Sequence, residues 1–127
     1  MKWNVIRLEL ASSWEFPRGS VGRSLIVRLP VDDDGVIDRF ALESQPSRAT
    51  VRRYWASEPD MIGHLAQTPQ GFAVRYETSA VAAEESPVDG ALDTLIEFGN
   101  GPIAVGDEIV LREPGGRQVR LIVVSQK

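Results

Sequence analysis

The segment Thr50-Val51-Arg52-Arg53-Tyr54-Trp55 combines arginines with aromatic residues in a pattern typical of a strand. Alternate side chains of a strand point to opposite faces, so Arg53 shares one face with Trp55 and Arg52 shares the other with Tyr54. A buried arginine needs a carboxylate partner or an anionic ligand, because an unpaired buried charge is very costly. We therefore predict a site for a small anionic ligand. Its residues are Arg48, Arg52, Arg53, Tyr54 and Trp55. In the alternative interpretation, the guanidinium only stacks on an aromatic ring and pairs with a glutamate across the sheet.

The acidic run Asp32-Asp33-Asp34-Gly35-Val36-Ile37-Asp38 is a second feature with ligand-binding side chains. If Gly35 is aligned with the glycine of an EF-hand calcium loop, Asp32 and Asp34 fall on ligand positions. The first and last ligand positions then hold a proline and an alanine, which cannot bind the ion through a side chain. The run therefore predicts a solvated turn after a strand. A weak cation site at Asp32, Asp34 and Asp38 is the alternative.

His64 is the single histidine of the chain. A serine–histidine–aspartate arrangement can assemble from distant residues, but the sequence lacks the Gly-x-Ser-x-Gly motif of a nucleophile elbow. The segment Pro17-Arg18-Gly19-Ser20-Val21-Gly22-Arg23-Ser24 leads into a strand and lacks the lysine and spacing of a phosphate-binding loop. An enzyme with carboxylates and arginines around His64 therefore stays a lesser alternative, and no metal or cofactor is predicted.

The composition of the whole chain excludes several classes of protein. The chain has 127 residues, no cysteine, one histidine and a net charge of -4. These values exclude a disulfide framework and a multi-histidine zinc site, and they argue against a general nucleic-acid binder. No apolar run approaches the roughly 20 residues of a membrane span. The N-terminal residues lack the apolar stretch of a signal peptide, so we expect a cytoplasmic protein with one domain, residues 1–127.

Strand patterns dominate the sequence. Apolar residues alternate with a period of two, which predicts strands around residues 6–10, 25–29, 72–76, 94–98, 109–111 and 119–123. Thr68-Pro69-Gln70-Gly71 and Glu113-Pro114-Gly115-Gly116 have the turn residues of hairpins. They predict that strand 63–68 pairs with 72–77 and that strand 108–112 pairs with 118–125. Helical signals are short and fall on residues 38–44 and 79–85.

These elements predict an all-β fold of about eight short strands with at most one or two short helical turns. A single small antiparallel β-barrel, closed or partly open, is favoured over a two-sheet sandwich because closure removes exposed sheet edges. The last strand is apolar on both faces, and Ile122 and Val124 are expected to point outward. Such a row would suit a homodimer interface through the C-terminal strand.

Parts of this sequence resemble two groups of known proteins. Residues 103–111 with Pro114-Gly115-Gly116 and the last strand are similar to the closing hairpin of many small β-barrel domains. The segments 15–20, 29–38 and 50–55 resemble a group of short proteobacterial proteins without an assigned activity, so the resemblance implies no catalytic residue. The leading hypothesis is thus a non-enzymatic β-barrel module that binds a small anionic ligand or a protein partner. Self-association, an OB-like nucleic-acid binder and an enzyme are the alternatives.

Overall fold

The computed structural model describes residues 1–12, 17, 19–56, 58–77 and 94–127. Within these residues, eight strands form one sheet. They are β1 (Lys2–Leu10), β2 (Ser20–Val31), β3 (Thr50–Trp55), β4 (Met61–Thr68), β5 (Gly71–Tyr76), β6 (Thr94–Glu97), β7 (Glu108–Arg112) and β8 (Gln118–Gln126). A six-residue helix, α1 (Arg39–Ser44), and a 3-10 turn (Pro46–Arg48) lie between β2 and β3.

The strands form a closed antiparallel barrel. Each strand pairs with the next one along the chain, and β8 returns to pair with β1. The predicted all-β barrel is therefore confirmed in its closed form, and the sandwich alternative is wrong. The β7–β8 and β4–β5 hairpins also form as predicted, with strand ends that differ from the prediction by no more than two residues.

The two predicted helical segments have different outcomes. Helix α1 begins directly after Asp38, whose Oδ1 accepts a hydrogen bond of 2.9 Å from the backbone amide of Ala41. This is the helix start that an aspartate at an N-cap favours. The segment 79–85 lies outside the described residues. The sequence pattern does not predict the 3-10 turn, although a proline at its first position is a common start for such a turn.

The hydrophobic core occupies the interior of the barrel and extends to the loops and the helix that cover one of its two ends. Inward positions on the strands carry fully buried aliphatic side chains, among them Ile6, Leu8, Leu25, Val27, Leu29, Leu65, Ile96, Leu111 and Leu121. At the end where β2 finishes, Ile37, Leu42 and Ile103 are buried against this core. The hydrogen bond from Ile103 N to Gly35 O, at 3.0 Å, ties two of the loops there together.

The opposite end of the barrel is polar. It is formed by the C-terminal ends of β3, β5 and β7 and the N-terminal ends of β4 and β6. Among the residues with described burial, three polar residues are buried, and two of them, Arg53 and Thr94, belong to strands at this end. Buried polar groups require partners that an aliphatic core does not supply, so this end of the barrel is the candidate site.

Candidate ligand-binding site at the polar end of the barrel

Arg53 is directed into the barrel. Its relative exposure is 8%, and it lies opposite Leu25 on β2 and Met61 on β4. Arg52, the preceding residue, is exposed on the outer face. The predicted alternation along β3 is therefore confirmed, and it places one of the two arginines inside.

The guanidinium of Arg53 is held by carboxylates and aromatic rings. Nη1 donates a hydrogen bond of 2.6 Å to Oε1 of Glu113 and another of 3.4 Å to the hydroxyl of Tyr76. Nη2 lies 3.6 Å from Oε2 of Glu58, which is an ion pair beyond hydrogen-bond distance. The guanidinium carbon lies 4.4 Å from the centroid of the Trp55 ring. The structural interpretation of Arg53, stacking plus a glutamate partner, is thus confirmed, although that glutamate comes from the β7–β8 turn.

Burial and hydrogen bonding act in opposite directions on this pair of side chains. Burial alone lowers the pKa of Arg53, but its contacts with Tyr76 and Glu113 outweigh burial, so the pKa is raised. Arg53 therefore stays charged. Burial raises the pKa of Tyr76, and the nearby guanidinium only partly opposes this effect. Tyr76 consequently remains a neutral phenol around neutral pH.

A pocket of about 670 Å³ opens beside this ion pair. That volume lies in the range of small-molecule sites, roughly 300–1,000 Å³. The pocket is lined by Arg53, Glu58, Pro59, Met61, Tyr76, Thr94, Glu113 and Pro114. Two other pockets among the described residues are about half as large. Apolar groups thus surround a few convergent polar atoms, which is the usual composition of a ligand site.

The structure does not bring the five predicted ligand-binding residues together. Arg48 lies at the other end of β3, where its guanidinium carbon is 4.7 Å from the Trp3 ring centroid. It also donates a hydrogen bond of 3.1 Å to Gln45. Arg52 belongs to the outer face of β3, and Trp55 packs behind Arg53 and does not line the pocket. Arg53 alone of the predicted set contributes directly to the pocket.

Sequence reasoning missed most of the pocket residues because they come from separate strands and turns. Glu113 and Pro114 were assigned to the turn of the β7–β8 hairpin, and that assignment gave no indication that they line a pocket. Tyr76 carried a usable signal, since its alternation with Val74 places a polar aromatic residue on the inward face. No pattern along the chain connected Glu58 or Met61 with Arg53, because their proximity depends on how β3 pairs with β4 and on the loop between these strands.

The OB-like alternative required Tyr54 and Trp55 to act with the arginines as one stacking surface. Nucleic-acid sites of this type need aromatic rings on a shared face. Trp55 instead packs against the core, whereas Tyr54 alternates with it on the other side of β3. The two rings therefore cannot stack successive bases along one surface.

The acidic run is a capped turn. Oδ1 of Asp32 accepts hydrogen bonds of 2.9 Å from Asp34 N and 3.0 Å from Val36 N. Asp38 uses its Oδ1 to cap α1. Among the residues that the structure describes, no three acidic or histidine side chains gather closely enough to hold a metal ion. The predicted turn is confirmed. Oδ1 of Asp32 and Oδ1 of Asp38 accept hydrogen bonds from backbone amides, and the carboxylates of Asp32, Asp34 and Asp38 do not form a cluster.

His64 lies on the outer face of β4, where its neighbours Gly63 and Leu65 are buried. Its Nδ1 is 3.7 Å from Oε1 of Glu77, and both side chains are largely exposed, at 39% and 63%. The residue does not line the pocket at Arg53. An active site centred on His64 therefore gains no support from the surroundings of this residue.

Comparison of this chain with known proteins finds no relative that could assign a role to the pocket. No helix within the described part of the chain is long and apolar enough to cross a membrane. No family model matches the sequence, and neither the curated proteins nor the solved structures include a match to it.

Proposed function

We propose that this barrel is a non-catalytic binding module that takes a small organic molecule in the pocket beside Arg53. The observation that carries the proposal is a pocket of ligand size whose wall contains Arg53, an arginine with a relative exposure of only 8%. The side chains of Met61 and Pro114 and the ring of Tyr76 offer apolar surface to the body of such a molecule. The polar atoms at Arg53 would fix its orientation.

The polar groups of the pocket suit binding better than proton transfer. Arg53 keeps its proton because its pKa is raised, and Tyr76 keeps its own because burial raises its pKa. Oε1 of Glu113 lies 2.6 Å from Nη1 of Arg53, so this oxygen already accepts a hydrogen bond within the protein. A general acid or base needs a pKa near the working pH, and neither Arg53 nor Tyr76 meets this condition.

Ligand-observed NMR with phenethyl alcohol as a neutral aromatic probe tests the proposal. We expect saturation transfer to the probe, with amide shifts confined to the polar end of the barrel. Met61→Trp fills the pocket and should abolish the signal. Ile62→Trp adds the same ring at the next position, which is 46% exposed, and should leave the signal intact. Binding that survives Met61→Trp, or no binding to the unmodified protein, contradicts the proposal.

Self-association through β8 is a second candidate function. Ile122 and Val124 alternate with the buried Leu121 and Val123, so they face outward as predicted, and Val124 is 38% exposed. On the neighbouring strand β1, Val5 is also exposed, at 43%, and it pairs with Lys127 beyond the end of β8. Sedimentation should then show a dimer that Val124→Lys converts to a monomer. A monomer at high concentration before substitution removes this candidate.

The proposed setting is the cytoplasm of a bacterial cell. The resemblance of the segments 15–20, 29–38 and 50–55 to short proteobacterial proteins supports the bacterial origin. The absence of cysteine from the chain is compatible with a reducing compartment. Fractionation of an expressing bacterium, with the protein detected by antibody, tests this part of the proposal.

A further inference from the structure

The charged side chains that line the pocket carry more negative than positive charge. Arg53 contributes one positive charge, whereas Glu58 and Glu113 contribute two carboxylates. With all three groups charged, the pocket has a net charge of -1 before any ligand enters. Pro59, Met61, Tyr76, Thr94 and Pro114 form the rest of the lining and carry no charge that could balance this surplus.

The surplus is located on Glu58. Glu113 is bound tightly to Arg53, with 2.6 Å between Oε1 and Nη1, and its side chain is only 17% exposed. Glu58 is 3.6 Å from the same guanidinium and 50% exposed, and it receives no hydrogen bond from the residues that the structure describes. An ionised carboxylate offers about four acceptor sites. Glu58 is therefore the more exposed of the two carboxylates in the pocket wall and the one less engaged by Arg53.

Arg53 is a poor receptor for an anion. Glu113, the Tyr76 hydroxyl and the Trp55 ring already occupy three sides of its guanidinium. Its Nε has no hydrogen-bond partner within the described part of the chain, but that atom is enclosed by protein and has essentially no exposed surface. A ligand in the pocket cannot reach it. An incoming carboxylate at Nη2 would lie close to both Glu58 and Glu113 and would be repelled by both carboxylates.

From this charge balance we infer that the ligand is an organic cation, an amine or guanidine with an apolar body, whose positive group pairs with Glu58. This inference rests on the proposed function, that is, on a small molecule binding in the pocket. The cation would restore neutrality to the three-charge cluster, and its apolar body would contact Met61 and Pro114. The ring of Tyr76 offers a further favourable surface to a cation.

Three probes with the same phenyl ring and different charge test the inference: phenethylamine, phenethyl alcohol and phenylacetate. Titrations followed by amide shifts should give an affinity for phenethylamine at least about tenfold higher than for phenylacetate. Glu58→Gln should lower the affinity for phenethylamine about five- to tenfold and leave that for phenethyl alcohol unchanged. Asp60→Asn removes the same charge two residues away, outside the pocket, and should change the affinity for phenethylamine less than twofold.

The outcomes separate the charge inference from the proposed function. Equal affinities for the three probes, or no effect of Glu58→Gln, overturn the cationic ligand while leaving the binding pocket in place. Tightest binding of phenylacetate also overturns it and favours the anionic ligand predicted from the arginine cluster. If none of the three probes binds, the proposed function itself fails. The preference for phenethylamine should also decrease with added salt, because the contact at Glu58 is partly exposed.

Discussion

Glu113→Gln is the substitution that most directly tests the ion pair at the polar end of the barrel. Two unit charges about 4 Å apart attract by about 4 kcal/mol at an effective dielectric constant of about 20. Glutamine keeps an acceptor for Arg53, and Glu58 still compensates part of its charge. We therefore expect a loss of about 2–3 kcal/mol in the free energy of unfolding, measured by urea denaturation. In a domain of this size such a loss lowers the melting temperature by about 8–11 °C.

Glu97→Gln is the matched control. Glu97 and Arg112 also form an ion pair, with 2.8 Å between Oε1 and Nε, but both side chains are about half exposed. Solvent screening limits the contribution of such a pair to about 0.5 kcal/mol or less. Equal losses for Glu97→Gln and Glu113→Gln would refute the argument that burial sets the strength of the Arg53–Glu113 pair. Additive losses for Arg53→Met and Glu113→Gln in a double-mutant cycle would refute it as well, since coupled residues should be non-additive.

Three further substitutions test other parts of the fold. Gly63→Ala should destabilise the barrel by more than about 2 kcal/mol in urea denaturation, because its Cβ would overlap the β5 backbone, whereas Gly101→Ala meets nothing within 4 Å and should be neutral. Tyr76→Phe should reduce the loss of stability above pH 10 in a series of thermal melts. The raised pKa of Tyr76 means that the unfolded chain releases this proton first, so stability falls as pH rises. Asp38→Ala removes the cap of α1 and should lower the free energy of unfolding by about 1 kcal/mol in urea denaturation. Asp33→Ala replaces a neighbouring exposed carboxylate and should leave the free energy of unfolding almost unchanged.

Local patterns predicted the secondary structure well. The β7–β8 hairpin follows from alternating apolar residues on either side of Pro114-Gly115, and the positive φ of 93° at Gly115 is the backbone conformation that the turn requires. The short helix α1 lies within the predicted segment 38–44, and Asp38 caps its first turn. These features depend on residues a few positions apart, whose preferences are decided by local sterics and hydrogen bonds.

Closure of the barrel could be anticipated from the sequence, but the register of the pairing that closes it could not. The number of strands and the lack of long helices favoured a closed sheet, because eight short strands left open would expose two edges. Pairing of β8 with β1 joins residues more than a hundred positions apart. Its register, with a shift between Arg7 and Leu8, depends on how the inward side chains pack.

The sequence by itself determined that Arg53 and Arg52 point to opposite faces and that a buried arginine would need a partner. Only the tertiary structure decided which face is inside, and that the partner is Glu113, sixty residues away. It also separated Arg48 from Arg53 and gathered Glu58, Met61 and Tyr76 around the pocket. The physical reason is that backbone geometry alone sets side-chain alternation. The surroundings of a buried charge depend on every strand that closes around it.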